Sequence, residues 1–114
     1  MTQFELAIEL KYPRNGQYPE QMFSFCRDIA FVEQLNDAGF VTAAVVIFAE
    51  DPPFYSGSCS GIYGYFRGGQ VLQGRIQKPT GSRDSEIELR GSYTVQWTPV
   101  TGSLMCAIVE VGSP

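Results

Sequence analysis

Apolar and polar positions alternate at the start of the chain and then change to a helical spacing. Residues 4–11, FELAIELK, place apolar side chains at every second position, which predicts a strand with two unlike faces. After a loop containing proline and glycine, apolar residues recur at helical spacing from Pro19 until Gly39 supplies a stop, which predicts one long helix. The nearly continuous apolar run at 40–51 predicts a strand covered on both faces.

The second half of the chain consists of shorter strand candidates. Two of them, 62–69 and 70–77, are separated by glycines, and a polar turn follows at 78–85. The longer runs at 86–97 and 103–112 are joined by TPVTG, a length that suits an antiparallel hairpin.

These elements together predict an α+β fold. A strand, a helix and a second strand with short links form a βαβ unit, so we expect the first two strands to be parallel. We predict a single domain over residues 1–114, with a mixed sheet of about five to six strands, one main helix packed on it, and antiparallel strands following the strand-helix-strand unit.

Composition narrows the functional classes. The chain has 114 residues, 44% of them apolar, and a net charge of −4, which fits one domain and argues against a sequence-independent nucleic-acid binder. It has no histidine, so Ser-His-Asp and Cys-His hydrolases and histidine zinc sites are excluded. Its three cysteines are widely spaced and form no CxxC, and no apolar run approaches the roughly 20 residues of a membrane span. We expect a soluble, cytoplasmic protein.

Glu9 and Lys11 are the first candidates for chemistry. Alternation puts them on one face of the first strand, roughly 7 Å apart. Phosphodiesterases use this layout when a glutamate holds a divalent metal and a neighbouring lysine orients the attacking water or stabilises the developing charge. The same pattern also fits the polar face of an ordinary amphipathic strand, with salt pairing across strands.

The order of the surrounding segments resembles a known superfamily. AIELKYP at 7–13 is followed by the helix FSFCRDIAFVEQL and the apolar strand AAVVIFAED, and LRGSYTVQW and MCAIVEV lie further on. This order is similar to the second half of the PD-(D/E)xK nucleases, which have a restriction-endonuclease-like fold. The resemblance implies a Mg²⁺- or Mn²⁺-dependent hydrolase acting on DNA, with Glu9 as metal ligand and Lys11 as catalytic lysine. It also implies Gln21 or Asp28 as an auxiliary polar group.

One element of the family pattern is missing. Those nucleases carry an acidic residue, usually aspartate, on a hairpin before the E-x-K strand, whereas only Met1 to Phe4 precede Glu5 here. We therefore expect a nuclease-like domain that is inactive alone. Its first strand would offer unpaired backbone groups, so we also expect a homo-oligomer, most simply a dimer, unless the C-terminal hairpin folds back to cover that strand.

A second hypothesis is a complete small α+β module that binds a small apolar ligand or a protein partner and catalyses nothing. A loop rich in serine and glycine at 52–61 could close over an apolar pocket. The candidate pocket residues are five aromatic side chains: Tyr55, Tyr63, Tyr65, Tyr93 and Trp97. Aromatic residues are also ordinary strand formers, so core packing would explain them equally well.

Overall fold

The computed structural model describes residues 4–14, 16–79 and 85–112. It contains one long helix, one short helix, a single 3₁₀ turn at Pro52–Phe54 and six strands, which confirms the predicted α+β class. The elements are β1 (Phe4–Lys11), α1 (Tyr18–Asp37), β2 (Phe40–Ala49), α2 (Tyr63–Arg67), β3 (Leu72–Gln77), β4 (Glu86–Tyr93), β5 (Thr98–Thr101) and β6 (Leu104–Val111).

The described strands form two sheets. In the larger sheet the order is β1-β2-β6-β5, with β1 and β2 parallel and the other pairs antiparallel. The parallel β1–β2 pair confirms the predicted strand-helix-strand unit. β3 and β4 form a separate antiparallel pair, which is closed by the bond from the Lys78 N–H to the Ser85 carbonyl at 2.9 Å. The rest of the predicted turn, 80–84, lies outside the described residues.

The predicted hairpin between 86–97 and 103–112 is wrong. β4 pairs with β3, whereas β6 pairs with β2 on one side and with β5 on the other. β5 lies within the segment that was expected to be the connecting loop. A tight turn at Gly102, which has a φ of +55°, reverses the chain between β5 and β6. β5 therefore pairs with β6 in the place predicted for residues 86–97.

The strand predicted at 62–69 is also wrong, because Tyr63–Arg67 is helical. Ile62 and Phe66 are both buried, a spacing that suits one face of a helix. Phe66 packs against Phe25 of α1, with ring centroids 5.7 Å apart. This contact between distant segments selects the helix over the strand favoured by local propensity.

The core lies between α1 and both sheets. The helix begins one residue before the predicted Pro19 and ends just before Gly39, whose φ is +122°, so its predicted extent is confirmed. Within the described ranges, no helix of the protein is long and apolar enough to cross a membrane. Buried core residues include Met22, Phe25, Cys26, Ile29 and Val32 of α1, Ala43, Val45 and Ile47 of β2, Val109 and Val111 of β6, and Leu72, Ile76 and Leu89 of the smaller sheet.

The two faces of β1 are used in an unexpected way. Glu9 pairs in register with Val45 and Lys11 with Ile47, so the polar side of β1 shares the face that packs on α1. The apolar side is turned to solvent, and the second face of β2 is only partly covered, contrary to the prediction for 40–51. We call this surface the open face; it comprises Leu6, Ile8, Leu10, Val46, Phe48, Leu104, Cys106 and Ile108.

β1 is an edge strand. Among the residues that the structure describes, β2 is its one pairing partner, and β5 occupies the opposite edge of the sheet. The expectation that the C-terminal hairpin folds back over β1 is therefore wrong. β6 pairs with the other side of β2 along residues 43–49, which places the hairpin away from β1.

A buried carboxylate joins α1 to the smaller sheet. Glu33 is almost completely buried and accepts hydrogen bonds from the backbone N–H groups of Arg90, at 2.9 Å, and Gly91, at 2.7 Å. The Tyr93 hydroxyl donates a third, at 2.5 Å. A β-carbon at Gly91 would lie 2.5 Å from that hydroxyl oxygen, so a side chain at this position would displace the Tyr93 ring from its place beside the carboxylate.

We predict that Glu33→Ala lowers the free energy of unfolding by about 3 kcal/mol, because it leaves buried donors without an acceptor. Asp37→Ala is the matched control. Asp37 lies one turn later on α1 and forms an exposed ion pair with Arg90 at 2.7 Å, so its loss should cost less than about 1 kcal/mol. Urea unfolding of both variants measures the difference, and equal losses would contradict the anchoring role of Glu33.

Candidate functional site

Glu9, Lys11 and Asp28 form a cluster between β1 and α1. The Lys11 Nζ lies 3.1 Å from the Asp28 Oδ2 and 3.9 Å from the Glu9 Oε1. The side chains of Glu9 and Lys11 are 36% and 30% exposed, and that of Asp28 is 15% exposed. Alternation along β1 turns the first two toward the helix, and Asp28 meets them from the middle of α1. We call these three residues the carboxylate–lysine cluster.

The Lys11 charge offsets only part of the effect of burial on the pKa of Asp28. Burial raises the pKa of Asp28 above its ordinary value, Glu9 raises it further, and the Lys11 and Arg27 charges act in the opposite direction. The net shift is upward, so burial outweighs the attraction of the neighbouring ammonium group. Asp28 is therefore a carboxylate that a proton or a second cation would stabilise.

The cluster contains two carboxylates, Glu9 and Asp28, which both lie beside the Lys11 ammonium group. In the described ranges 4–14, 16–79 and 85–112, no group of three or more His, Cys, Asp or Glu side chains could hold a metal ion. Mg²⁺ is often held by one or two carboxylates, with waters and substrate phosphate oxygens completing its coordination. Glu9 and Asp28 are the residues that would hold such an ion, in competition with the Lys11 ammonium group.

Gln21, the other predicted auxiliary residue, has a different role. It lies in the first turn of α1, and its Nε2 donates to the carbonyl oxygens of Arg14, at 3.1 Å, and Gly16, at 2.5 Å. Gly16 and Gln17 both have positive φ angles, which bend the chain into the helix. Gln21 therefore holds the loop before α1, while Asp28 is the helix residue that reaches the cluster.

The aromatic residues predicted to share one pocket are distributed over several contacts. The Tyr55 and Trp97 rings pack together with centroids 5.9 Å apart. The Tyr55 hydroxyl donates to the Ser103 carbonyl at 2.7 Å, and the Trp97 indole N–H donates to the Phe66 carbonyl at 2.7 Å. This pair ties the loop and α2 to the C-terminal strands. Tyr93 is held separately by Glu33.

The remaining two tyrosines lie on α2. Tyr63 stacks beneath the Arg67 guanidinium, 3.9 Å from the ring centroid. Tyr65 lines a cleft of about 390 Å³ that lies between α2 and β3, together with Ile62, Gln70, Arg75 and Ile76. Of the five predicted pocket residues, Tyr65 is the one that contributes to this cleft.

A second polar group lies where β1 and β2 end, and the sequence-based prediction missed it. The Tyr12 hydroxyl donates to the Glu50 carboxylate, and the Tyr18 hydroxyl lies 3.4 Å from the Asp51 Oδ2. Burial and Asp51 raise the pKa of Tyr18. The carboxyl ends of parallel strands lie at one edge of a sheet, so the βαβ pattern contained the signal that brings these residues together.

Comparisons with protein-family models, curated proteins and solved structures returned no match for this chain.

We predict that Asp28→Asn stabilises the protein at neutral pH. A raised pKa in the folded state means that ionised Asp28 opposes folding, so the stability of the unmodified protein falls as pH rises from about 4 through the raised pKa. The uncharged variant should have the higher Tm at pH 7, and the difference should disappear toward pH 4. Asp37→Asn, at the exposed end of the same helix, serves as the control. A lower Tm for Asp28→Asn at neutral pH would show that the Lys11 attraction outweighs burial.

Proposed function

We propose that this chain is a nuclease-like domain related to the metal-dependent DNA endonucleases of the PD-(D/E)xK superfamily. The observation that supports the proposal is the carboxylate–lysine cluster, in which Asp28 of the helix joins the E-x-K pair of the strand. The cluster lies on a parallel strand-helix-strand unit, which is the setting that the resemblance requires. In this proposal Lys11 is the catalytic lysine, and Glu9 and Asp28 are the metal ligands.

The residues of the cluster suit phosphodiester hydrolysis. A Mg²⁺ or Mn²⁺ ion, if held by Glu9 and Asp28, would supply Lewis-acid polarisation of the phosphate and would activate a water as nucleophile. Lys11, which is partly exposed, can donate a hydrogen bond to a non-bridging phosphate oxygen or to the attacking water. Neutralisation of the two carboxylates releases the ammonium group from its ion pairs, so cation binding and the availability of Lys11 are linked.

With Glu9 and Asp28 as its two carboxylate ligands, the proposed metal site would support only a low level of activity. We expect the isolated chain to bind divalent metal weakly and to cleave DNA slowly or not at all. Its net charge of −4 means that DNA would be held by local contacts rather than by a broad basic surface. A second copy or another protein placed beside the β1 edge could supply a further acidic residue.

Metal binding tests the ligand assignment. We expect Mn²⁺ titration, followed by calorimetry, to show binding that Glu9→Gln and Asp28→Asn each weaken at least tenfold. Glu86→Gln is the matched control, because Glu86 pairs with Arg75 on the exposed surface of the smaller sheet, at 3.4 Å. Lys11→Ala should retain or strengthen binding, since it removes the competing cation. The assignment would be contradicted if the unmodified protein did not bind Mn²⁺, or if Glu9→Gln and Asp28→Asn bound it as tightly as the unmodified protein does.

Plasmid nicking tests the catalytic role of Lys11. Any Mn²⁺-dependent nicking by the purified chain should be lost in Lys11→Ala, even though that variant still binds the metal. Glu86→Gln again serves as the control and should nick like the unmodified protein. Nicking of equal strength in Lys11→Ala would assign the activity to a contaminant and remove Lys11 from the mechanism.

A second candidate function is ligand binding without catalysis, and the cleft beside Tyr65 favours it. Its volume of about 390 Å³ falls in the range of small-molecule sites. Ile62, Ile76 and the Tyr65 ring line part of the cleft, and Arg75, which also pairs with Glu86, carries a positive charge there; a small apolar acid that displaces Glu86 would suit this lining. In a thermal-shift screen, such compounds should raise the Tm of the protein without added metal. Tyr65→Ala should abolish that shift and Tyr63→Ala should retain it; a screen without any shift would contradict this candidate.

A further inference from the structure

The open face is an apolar surface of β1, β2 and β6 without a covering layer in the described structure. Leu6, Ile8, Leu10 and Ile108 are 57%, 55%, 63% and 56% exposed. Strand pairing makes these positions neighbours, because Leu10 is in register with Val46 and Val46 with Ile108. Single exposed apolar residues are ordinary, but a patch that extends across three strands is typical of an interaction surface.

One charged residue, Glu110, lies within this surface. It is in register with Ala44 of β2, which pairs in turn with Ile8 of β1, so its side chain is on the same side of the sheet as the open face. Glu110 is exposed, and none of the described residues forms an ion pair with its carboxylate. A layer that covers Ile8 and Ile108 would also remove this carboxylate from water, which is costly unless the layer brings a cation. The occupant of the open face therefore needs a positive charge opposite Glu110.

The dimensions of the surface favour a single helix as its occupant. Parallel strands such as β1 and β2 are usually covered by helices on both faces, and α1 packs on the opposite face. Three strands about 4.8 Å apart place the two outer strands about 10 Å from each other, which is close to the diameter of one helix. Along β1, the distance from Leu6 to Tyr12 is about 20 Å, the length of about 13 helical residues.

The open face also contains a recess for an anchoring side chain. The walls of this groove, which has a volume of about 300 Å³, are formed by Leu10, Tyr12, Phe48 and Leu104. Both signs of charge lie beside it, because the Tyr12 hydroxyl donates to the Glu50 carboxylate and the Arg14 guanidinium lies over the Tyr12 ring. The groove therefore selects an apolar group, and Glu110 is the residue that selects the charge of the partner.

We propose that the open face binds an amphipathic helix of a partner protein, with an apolar stripe and an arginine or lysine that pairs with Glu110. The apolar stripe contacts Ile8 and Ile108, and an apolar anchor fills the groove beside Phe48, roughly two helical turns from the cation. The net charge of −4 also attracts a cationic partner. The carboxylate–lysine cluster lies on the opposite side of the sheet, so the inference is independent of the proposed function.

The small size of the surface sets the expected affinity. The patch is about 10 Å wide and about 20 Å long, which is less than the roughly 800 Å² that each partner buries in a standard interface. We therefore expect a transient complex with a Kd of about 10–100 μM.

A pair of synthetic peptides tests the charge of the partner. The first is an amphipathic helix of about 14 residues, with a stripe of leucine and phenylalanine and one arginine about two turns from the phenylalanine. The control peptide has glutamate in place of the arginine. In fluorescence anisotropy, we expect the arginine peptide to bind at least tenfold more tightly than the glutamate peptide.

Variants of Glu110 locate the charge that makes this distinction. Glu110→Gln should remove the preference for the arginine peptide, and Glu110→Arg should reverse it. Glu88→Gln is the matched control, because Glu88 is an exposed carboxylate on the smaller sheet, and this variant should keep the preference. Equal binding of the two peptides by the unmodified protein, or a preference that persists in Glu110→Arg, would overturn the proposal.

Apolar variants test the location of the bound helix. Ile108→Ser should weaken binding of the arginine peptide at least fivefold. Phe31→Ser is the control, since Phe31 is 48% exposed on α1, away from the open face, and should bind as the unmodified protein does. Circular dichroism verifies folding, and Leu10→Ser replaces Ile108→Ser if that variant does not fold. Unchanged binding in the folded variant would overturn the proposal.

Two further measurements distinguish the helix from other occupants. In light scattering, we expect a monomer of 12.6 kDa at about 100 μM without peptide, and a dimer that Ile108→Ser disrupts would assign the open face to a second copy. In sedimentation with phosphatidylcholine vesicles we expect no binding, and binding that Ile108→Ser abolishes would assign the face to a lipid surface. Either of these alternative assignments would overturn the proposal.

Discussion

The packing of α1 against two sheets at once determines the geometry of the whole chain. One side of the helix buries Phe25, Ile29 and Val32 in a core shared by both sheets. Apolar contact is not directional, so by itself it would let α1 shift along the smaller sheet. The Glu33 carboxylate prevents this shift by accepting three hydrogen bonds from β4. A carboxylate is buried at acceptable cost only when such donors surround it. The smaller sheet is therefore held in one register relative to the helix.

The same helix carries a second acidic residue in a contrasting environment. Asp28 precedes Glu33 by five positions, which turns it toward β1 instead of β4. Glu33 is satisfied by three donors, whereas Asp28 lies beside Lys11 with its pKa raised mainly by burial. Well-satisfied buried charges are typical of structural anchors, and shifted pKa values are enriched at functional sites. This contrast supports a structural role for Glu33, and Asp28 is the acidic residue of α1 that the proposed nuclease site uses.

β1 separates the proposed nuclease site from the open face by the alternation of its side chains. Glu9 and Lys11 lie toward α1, and Ile8 and Leu10 form part of the open face. A strand displays successive residues on opposite sides, so the proposed nuclease site and the open face share a backbone but no side chains. Substitutions on one face should leave the other largely unchanged.

Local sequence determined α1 and the parallel strand-helix-strand unit, because helical periodicity and the stop at Gly39 act within a few residues. Strand alternation also identified Glu9 and Lys11 as candidates, and the resemblance to the PD-(D/E)xK nucleases added Gln21 and Asp28. Tertiary structure decided which face of β1 is covered, since alternation distinguishes two faces without indicating where the helix packs. It also decided that 62–69 contains a helix, because Phe66 packs against Phe25, and that β6 pairs with β2 and β5. These outcomes depend on contacts between residues far apart in the chain, whose energies local patterns do not contain.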